Sequence, residues 1–370
     1  MATYGRAAVF AHPNKDLELQ EFPVPDPEPG AVVIRVKRCN VCGSDLHAWH
    51  GDFQTRGLGG QLPTILGHEM TGVVHSLGAG IQTDSFGNPL HIGDRVVYPY
   101  FFACGRCENC TSGFSIGCRR LKMAMLDNCL KPPHFVGGFA DYYYLPPQHV
   151  IFKVPDELGD DVVSGANCAL SQVMYGLDRV GLRAGETVVI QGSGGLGIYA
   201  TAVAKTLGAR RVIVLDGVEE RLALARKFGA DEIIPLSQHD EKERLRLVRE
   251  FTNGLGADVA VEVVGHPGVI SEGLRLLRVG GRYLEIGNIS LGKTVELDPS
   301  RLVFGNKSII GVSLYEPRYL KKALDFLVMT RNAFPYNELV ARTFPLSEIN
   351  EAFRLAEAKQ VNRASIVMDV

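Results

Sequence analysis

The run Gly192-Ser193-Gly194-Gly195-Leu196-Gly197 constrains the fold more than any other stretch, because of what flanks it. Thr187–Gln191 before it is a short apolar run of β character, and 195–207 after it carries a helical pattern. A glycine-rich turn in that context bends sharply at Gly192, admits a pyrophosphate at Gly194 and packs helix on strand at Gly197. The N–H groups opening the helix, at Gly195 and Leu196, then face the anion. Asp216 ends the next strand, where such a fold sets an acid against the adenosine ribose hydroxyls. Gly217 follows it with no basic side chain adjacent, which favours NAD over NADP.

The same alternation continues around that turn. Segments 211–215, 232–235, 258–264 and 282–287 read as strands and 218–228 and 240–252 as helices, as in a parallel sheet covered on both faces. Helix 218–228 has Glu219 and Glu220 in its first turn, Arg226 and Lys227 in its last and Gly229 as its stop. Segment 160–180 reads as one long helix. The earlier chain is different: 5–10, 17–22, 31–37, 71–77, 94–98 and 139–144 are short β-rich runs punctuated by Gly and Pro, with Cys and His between them. That pattern predicts a partly barrelled β domain. From about Ser308 the chain returns to strand (309–314), helices (320–330 and 349–358) and a last strand (364–369), expected to finish the first domain. The expected division is 1–159 with 310–370 as one domain and 160–309 as a cofactor domain inserted into it.

At 370 residues the chain exceeds the usual domain of about 100–200, consistent with two. Its 39 Lys and Arg against 41 Asp and Glu include no basic block, which argues against nucleic acid or an anionic membrane as partner. The N-terminal residues lack the apolar core of a leader, and no apolar run approaches about 18 residues, so a cytoplasmic protein is expected. Its eight cysteines, clustered and without a secretion signal, point to metal rather than disulfides.

Cys104, Cys107, Cys110 and Cys118 fall in one short stretch, and four thiolates make a closed tetrahedral zinc site. An iron–sulfur cluster is the alternative that this spacing leaves open. In Val41-Cys42-Gly43-Ser44-Asp45-Leu46-His47 a thiol, a hydroxyl, a carboxylate and an imidazole lie close together. The thiolate suits zinc, the carboxylate can orient a ligating imidazole, and the hydroxyl and His47 can pass a proton. Taken alone, the stretch also reads as a Gly-containing turn with incidental polar residues. Gly67-His68-Glu69 and Cys168, within apolar 165–169, supply candidate partners: Cys, His and Cys from three segments form a catalytic zinc arrangement. Trp49, Phe53, Tyr100, Phe101 and Phe102 lie near these segments and suggest an aromatic pocket. Cys39, Cys129, His50 and His134 read as bystanders.

Through these motifs and Gly93-Asp94-Arg95-Val96, the sequence resembles the zinc-dependent medium-chain alcohol dehydrogenases over nearly its whole length. The resemblance implies an α/β protein with a β-rich GroES-like catalytic domain and a doubly wound Rossmann domain. It implies two zinc ions, one catalytic on Cys42, His68 and Cys168 and one structural on Cys104, Cys107, Cys110 and Cys118. It gives Asp45 the role of orienting His68, Glu69 that of an exchangeable acid nearby, and Ser44 with His47 that of a proton relay. Cofactor contacts are implied at Gly192, Gly194, Gly195, Leu196, Gly197, Asp216, Arg221 and Arg363. The reaction implied is hydride transfer between a small alcohol and NAD, in a homodimer or homotetramer. A polyol or sugar dehydrogenase is the rival reading, and Cys168 tells against it because those relatives more often carry glutamate as third ligand. A non-catalytic NAD-binding protein that keeps only the structural zinc is the other. The stretches 54–62 and 83–91, the latter with its Asn88-Pro89 turn, depart from the common pattern.

Overall fold

The computed structural model describes residues 3–53, 60–289 and 291–369, so most of the 54–62 stretch lies outside the described residues. The chain divides into two compact units, Met1–Cys168 with Glu316–Arg331 and Leu339–Val370, and Ala169–Tyr315 with Asn332–Glu338. These boundaries differ from 159/160 and 309/310. The helix Asp160–Val163 packs on strands of the first unit, and the strand Ser308–Gly311 is hydrogen-bonded within the second.

In the first unit the strand Val32–Asn40 is the centre of a seven-stranded sheet, pairing antiparallel with Glu69–Leu77, Tyr142–Leu145 and Ala364–Val367. Register shifts between Val33 and Ile34 and between Val36 and Arg38 mark bulges, which bend and twist a strand and so curl the sheet. Its register sets the chemistry of one edge: Asn40 lies opposite Glu69 on one side and Ser365 on the other. Cys42 just past Asn40, His68 just before Glu69 and Arg363 just before Ser365 are thereby drawn together. The stretch that resembled a turn is instead the helix Gly43–Trp49, with Cys42 as its N-cap. Asp45 closes a capping box by accepting from the Cys42 N–H at 2.9 Å.

The second unit holds a six-stranded parallel sheet in the order Glu232–Pro235, Arg211–Asp216, Thr187–Gln191, Ala257–Glu262, Leu277–Glu285, Ser308–Gly311. The strand order turns back between Thr187–Gln191 and Ala257–Glu262, the switch point at which such sheets open a ligand crevice. Val189, Ile213, Ala260 and Tyr283 are fully buried in its core, and full burial of a large apolar side chain contributes about 1.5–3 kcal/mol.

Two expectations are corrected. Segment 160–180 is not one helix: Asp160–Val163 and Ser171–Arg179 flank a π-helical segment, Ala166–Leu170, that carries Cys168. Segment 309–314 does not rejoin the first domain, because Ser308–Gly311 pairs with Leu277–Glu285. The helices Gly268–Leu276 and Pro299–Gly305 escaped the pattern reading. Two glycines weaken the helical signal of the first, and packing demands one of them: a Cβ at Gly273 would lie 2.3 Å from both Tyr283 Cε2 and Gln191 Oε1. In the 83–91 stretch, Asp84 accepts from the N–H groups of Phe86 and Asn88, each at 2.9 Å, which closes a compact turn.

Candidate functional site

Cys42, His68 and Cys168 present one ligand atom each, all within 4.8 Å of one another. The three come from a helix N-cap, a strand entry and the π-helical segment. His68 Nδ1 lies 3.2 Å from Asp45 Oδ1, and its Nε2 lies 3.2 Å from Ser44 Oγ. Asp45 is fully buried and its Oδ1 also accepts from the Gly67 N–H at 3.1 Å, so the carboxylate is fixed before it fixes the ring. Burial opposes the charged imidazole, but Asp45 and Cys42 outweigh it and hold His68 well above its ordinary pKa. Hydrogen bonding with the Cys168 thiol, more than any other influence, draws Cys42 well below its usual value, while Cys168 moves well above.

This donor set fits zinc. Two thiols and an imidazole steadied through its second nitrogen by a carboxylate form a zinc ligand group with its outer support, within reach of an ion whose bonds are about 2.0–2.3 Å. Glu69, beside His68, is fully buried, and burial pushes its carboxyl up to about 7 although Arg363 pulls the other way. Arg363 places its guanidinium 2.8 Å from Glu69 Oε2, a pairing the sequence did not suggest. Asn40 Nδ2 donates to the same oxygen at 3.3 Å and to Ser164 Oγ at 3.0 Å.

Ser44 and His47 lie one turn apart on the helix Gly43–Trp49, hence on one face. His47 Nδ1 is 2.7 Å from Asp52 Oδ2. Of the aromatic residues, the Tyr100 ring lies 4.7 Å from His68. Trp49 instead packs edge-on against Phe353 and donates to the Lys15 carbonyl at 2.6 Å. Phe101–Phe102 is a buried strand paired with Lys122–Met123. Sequence reasoning missed Asn167, whose Nδ2 donates to the carbonyls of His68 and Tyr98, each at 2.9 Å. The available signal was a lone amide inside an apolar run, next to a candidate ligand.

Cys104, Cys107, Cys110 and Cys118 form the second ligand group. Cys107 Sγ is 3.5 Å from Cys110 Sγ and 3.9 Å from Cys118 Sγ, and all eight cysteines of the chain are free thiols. The Cys110 N–H and thiol lower Cys107 to about 6, as suits a sulfur that binds metal as thiolate. Glu316 anchors this lobe, accepting from Ser115 Oγ at 2.5 Å and the Ile116 N–H at 3.3 Å.

In the second unit, the Gly192–Gly197 turn opens the helix Gly195–Thr206. Gly192 has φ +100, and a Cβ at Gly197 would lie 2.0 Å from the Gly192 carbonyl oxygen, whereas nothing lies within 4 Å of a Cβ at Gly194. The turn is therefore closed on its protein side and open on the side that a pyrophosphate needs. Asp216 ties it down: Oδ2 accepts from the Ser193 N–H at 2.6 Å and Oδ1 from the Val218 N–H at 2.8 Å. The Arg221 carbonyl accepts from Ser193 Oγ at 2.9 Å.

Among the described residues, no helix is long and apolar enough to cross a membrane. Residues 28–156 match the model of the alcohol dehydrogenase GroES-like domain, and 195–329 that of the zinc-binding dehydrogenase. The chain is 33% identical over 361 residues to 5-exo-hydroxycamphor dehydrogenase of Pseudomonas putida, covering 96% of each. It is 30% identical over 374 residues to erythritol/L-threitol dehydrogenase of Mycolicibacterium smegmatis, covering 97% of each. A solved alcohol dehydrogenase from Thermotoga maritima superposes with a TM-score of 0.92 at 29% identity, covering 99% of this chain and 100% of that one. The chain belongs to the zinc-dependent medium-chain dehydrogenase/reductase family and is an oxidoreductase.

Proposed function

We propose that the protein transfers hydride between a primary or secondary, largely apolar alcohol and NAD, interconverting alcohol and aldehyde or ketone. The observation that carries this reading is the gathering of the Cys42, His68 and Cys168 ligand atoms beside the Ser44 hydroxyl. Cys42, His68 and Cys168 would hold a zinc ion, which would supply Lewis-acid stabilisation of the negative charge that develops on the substrate oxygen.

The chain's own residues do the rest. Asp45 fixes the His68 ring through Nδ1, which leaves Nε2 facing Ser44 Oγ. Ser44 Oγ takes the alcohol proton, and His47, one turn further on, passes it outward. Asp52 at 2.7 Å orients the His47 ring for that step. The Tyr100 ring beside His68 offers an apolar wall that disfavours water. At the other reactant, the 195–206 helix N-terminus and the open face of Gly194 receive the pyrophosphate, and Asp216 with Arg221 flanks the adenosine ribose. The cysteine lobe, with four thiolates and no place for a substrate, serves structure. We propose a homodimer or homotetramer in the cytoplasm.

The relative that acts on 5-exo-hydroxycamphor favours a compact apolar secondary alcohol, and the erythritol/L-threitol enzyme keeps polyols in view. Absorbance at the reduced-nicotinamide band, recorded for a panel of alcohols and polyols with NAD and with NADP, tests the reading. Turnover of apolar monoalcohols with NAD, abolished by a zinc chelator, is expected. Turnover of polyols alone reverses the substrate assignment, and preference for NADP reverses the cofactor assignment.

A further inference from the structure

Glu262 and Glu285 end neighbouring strands of the parallel sheet and stand opposite one another in register. Glu262 is fully buried, and its Oε1 accepts from the N–H groups of Val264 at 2.6 Å and Gly265 at 2.7 Å. Asn288 Nδ2 reaches both acids, lying 3.0 Å from Glu262 Oε2 and 3.0 Å from Glu285 Oε1. The Asn288 N–H also donates to Glu285 Oε1 at 3.1 Å. Among the described residues, no donor reaches Glu285 Oε2, although that atom is buried. Two carboxylates bridged by one amide in a buried setting do not both ionise cheaply. A proton held between them relieves the repulsion and gives the orphaned oxygen a partner.

The pair joins three turns. A Cβ at Gly192 would meet Val264 Cγ2 at 3.0 Å and the Val263 carbonyl carbon at 3.2 Å, so the glycine-rich turn abuts the segment that Glu262 holds. A Cβ at Gly287 would lie 2.6 Å from the Gly265 nitrogen and 2.7 Å from Glu262 Oε2, so the third turn is pressed against the same carboxyl. Glu262 itself ends the strand at the switch point of the sheet.

We propose that Glu262 is a positioning residue for the dinucleotide: sharing one proton with Glu285, it clasps the turns at 192–197, 263–265 and 287–288 in their binding arrangement, and loss of that proton loosens them. The inference rests on the cofactor reading above. Burial, reinforced by the hydrogen bond to Glu285 and by its charge, pushes Glu262 up to about 8. Tyr283, on the same strand as Glu285, is the neighbouring titratable group that feels Glu262, Glu285 and Glu272. Tyr283 donates to Gln191 Oε1 at 2.9 Å and is itself held protonated by burial, while Glu272 is paired with Arg244 at 2.7 Å. A carboxyl raised in the native state binds its proton more tightly there than in the unfolded chain, so the clasp is intact below about pH 8 and is lost as pH rises through it.

Fluorescence titration of the metal-replete enzyme with NADH or NADPH tests this. The wild-type Kd is expected to rise several-fold between about pH 7 and about pH 9.5. Glu262→Gln keeps an acceptor for Val264 and Gly265 and a donor for Glu285 while giving up the oxygen that accepts from Asn288, and whatever its absolute Kd, that Kd is expected to change less than about twofold over that range. Glu285→Gln removes the same charge pair and is expected to flatten the profile likewise, so one folded variant suffices. A wild-type Kd that stays flat, or a folded variant that keeps the wild-type slope, overturns the clasp. A wild type that binds neither dinucleotide at any pH overturns the cofactor reading itself, and the clasp with it.

Discussion

The two ligand groups of the first unit use one element type in opposite ways. Cys104, Cys107, Cys110 and Cys118 lie in one stretch, three of them only half-buried, and the backbone between them suffices to bring their sulfurs together. Cys42, His68 and Cys168 come from distant segments, His68 and Cys168 being buried; strand register, aligning Asn40 with Glu69, draws the first two together, and the Ala166–Leu170 segment brings the third. From outside its own stretch, Glu316 supports the lobe. The three-ligand site is surrounded by supports: Asp45 on the ring, Asn167 on the His68 and Tyr98 carbonyls, and Asn40 and Arg363 on the neighbouring Glu69. A group that only holds metal needs its ligands, whereas a group that must also do chemistry needs each ligand aimed.

That contrast can be broken by substitution at either place. The largest effect is expected for Cys168→Ser: metal analysis should show zinc lost from this site and kept in the lobe, with turnover down at least about a thousandfold, or about 4 kcal/mol of barrier. Substantial turnover in that variant would move the chemistry elsewhere. Asp45→Asn keeps the shape but weakens the partner of His68, and competition with a chelator should show zinc held about 10–100-fold more weakly at that site. Affinity equal to wild type would reduce Asp45 to a helix cap. The smallest effect on chemistry is expected for Cys107→Ser, which should lower the thermal midpoint and the lobe's zinc content while the catalytic-site metal and measurable turnover persist. Loss of turnover with stability unchanged would reverse the roles of the two groups.

Legibility in the sequence followed locality. The glycine-rich turn was readable because strand, turn and helix are consecutive, and Gly192 and Gly197 answer local demands, a positive φ at the first and the Gly192 carbonyl at the second. Helix 218–228 was readable from its end charges and the Gly229 stop, and the structure forms Glu219–Lys227 there. By contrast, 160–180 carried a helical spacing of apolar residues, and that spacing does not distinguish an α-helical turn from the wider π turn at Ala166–Leu170. Gly268–Leu276 was hidden for the opposite reason: Gly273 is a poor helix former placed there for Tyr283 and Gln191, which only the folded sheet brings near. Arg363 was assigned by its place near the C-terminus, yet the pairing of Ser365 with Asn40 sets it on Glu69.

By itself, the sequence determined the fold class, the presence of a four-thiol lobe, and a strand–turn–helix with an open glycine turn. These features arise from residues close along the chain, where spacing and backbone preference decide geometry. Tertiary structure alone decided which of the scattered polar residues became partners: His68 with Asp45, Arg363 with Glu69, Asn167 with two carbonyls, and Glu262 with Glu285. Each of those pairings depends on strand register or on burial, and both are properties of the whole packed chain that no local stretch encodes.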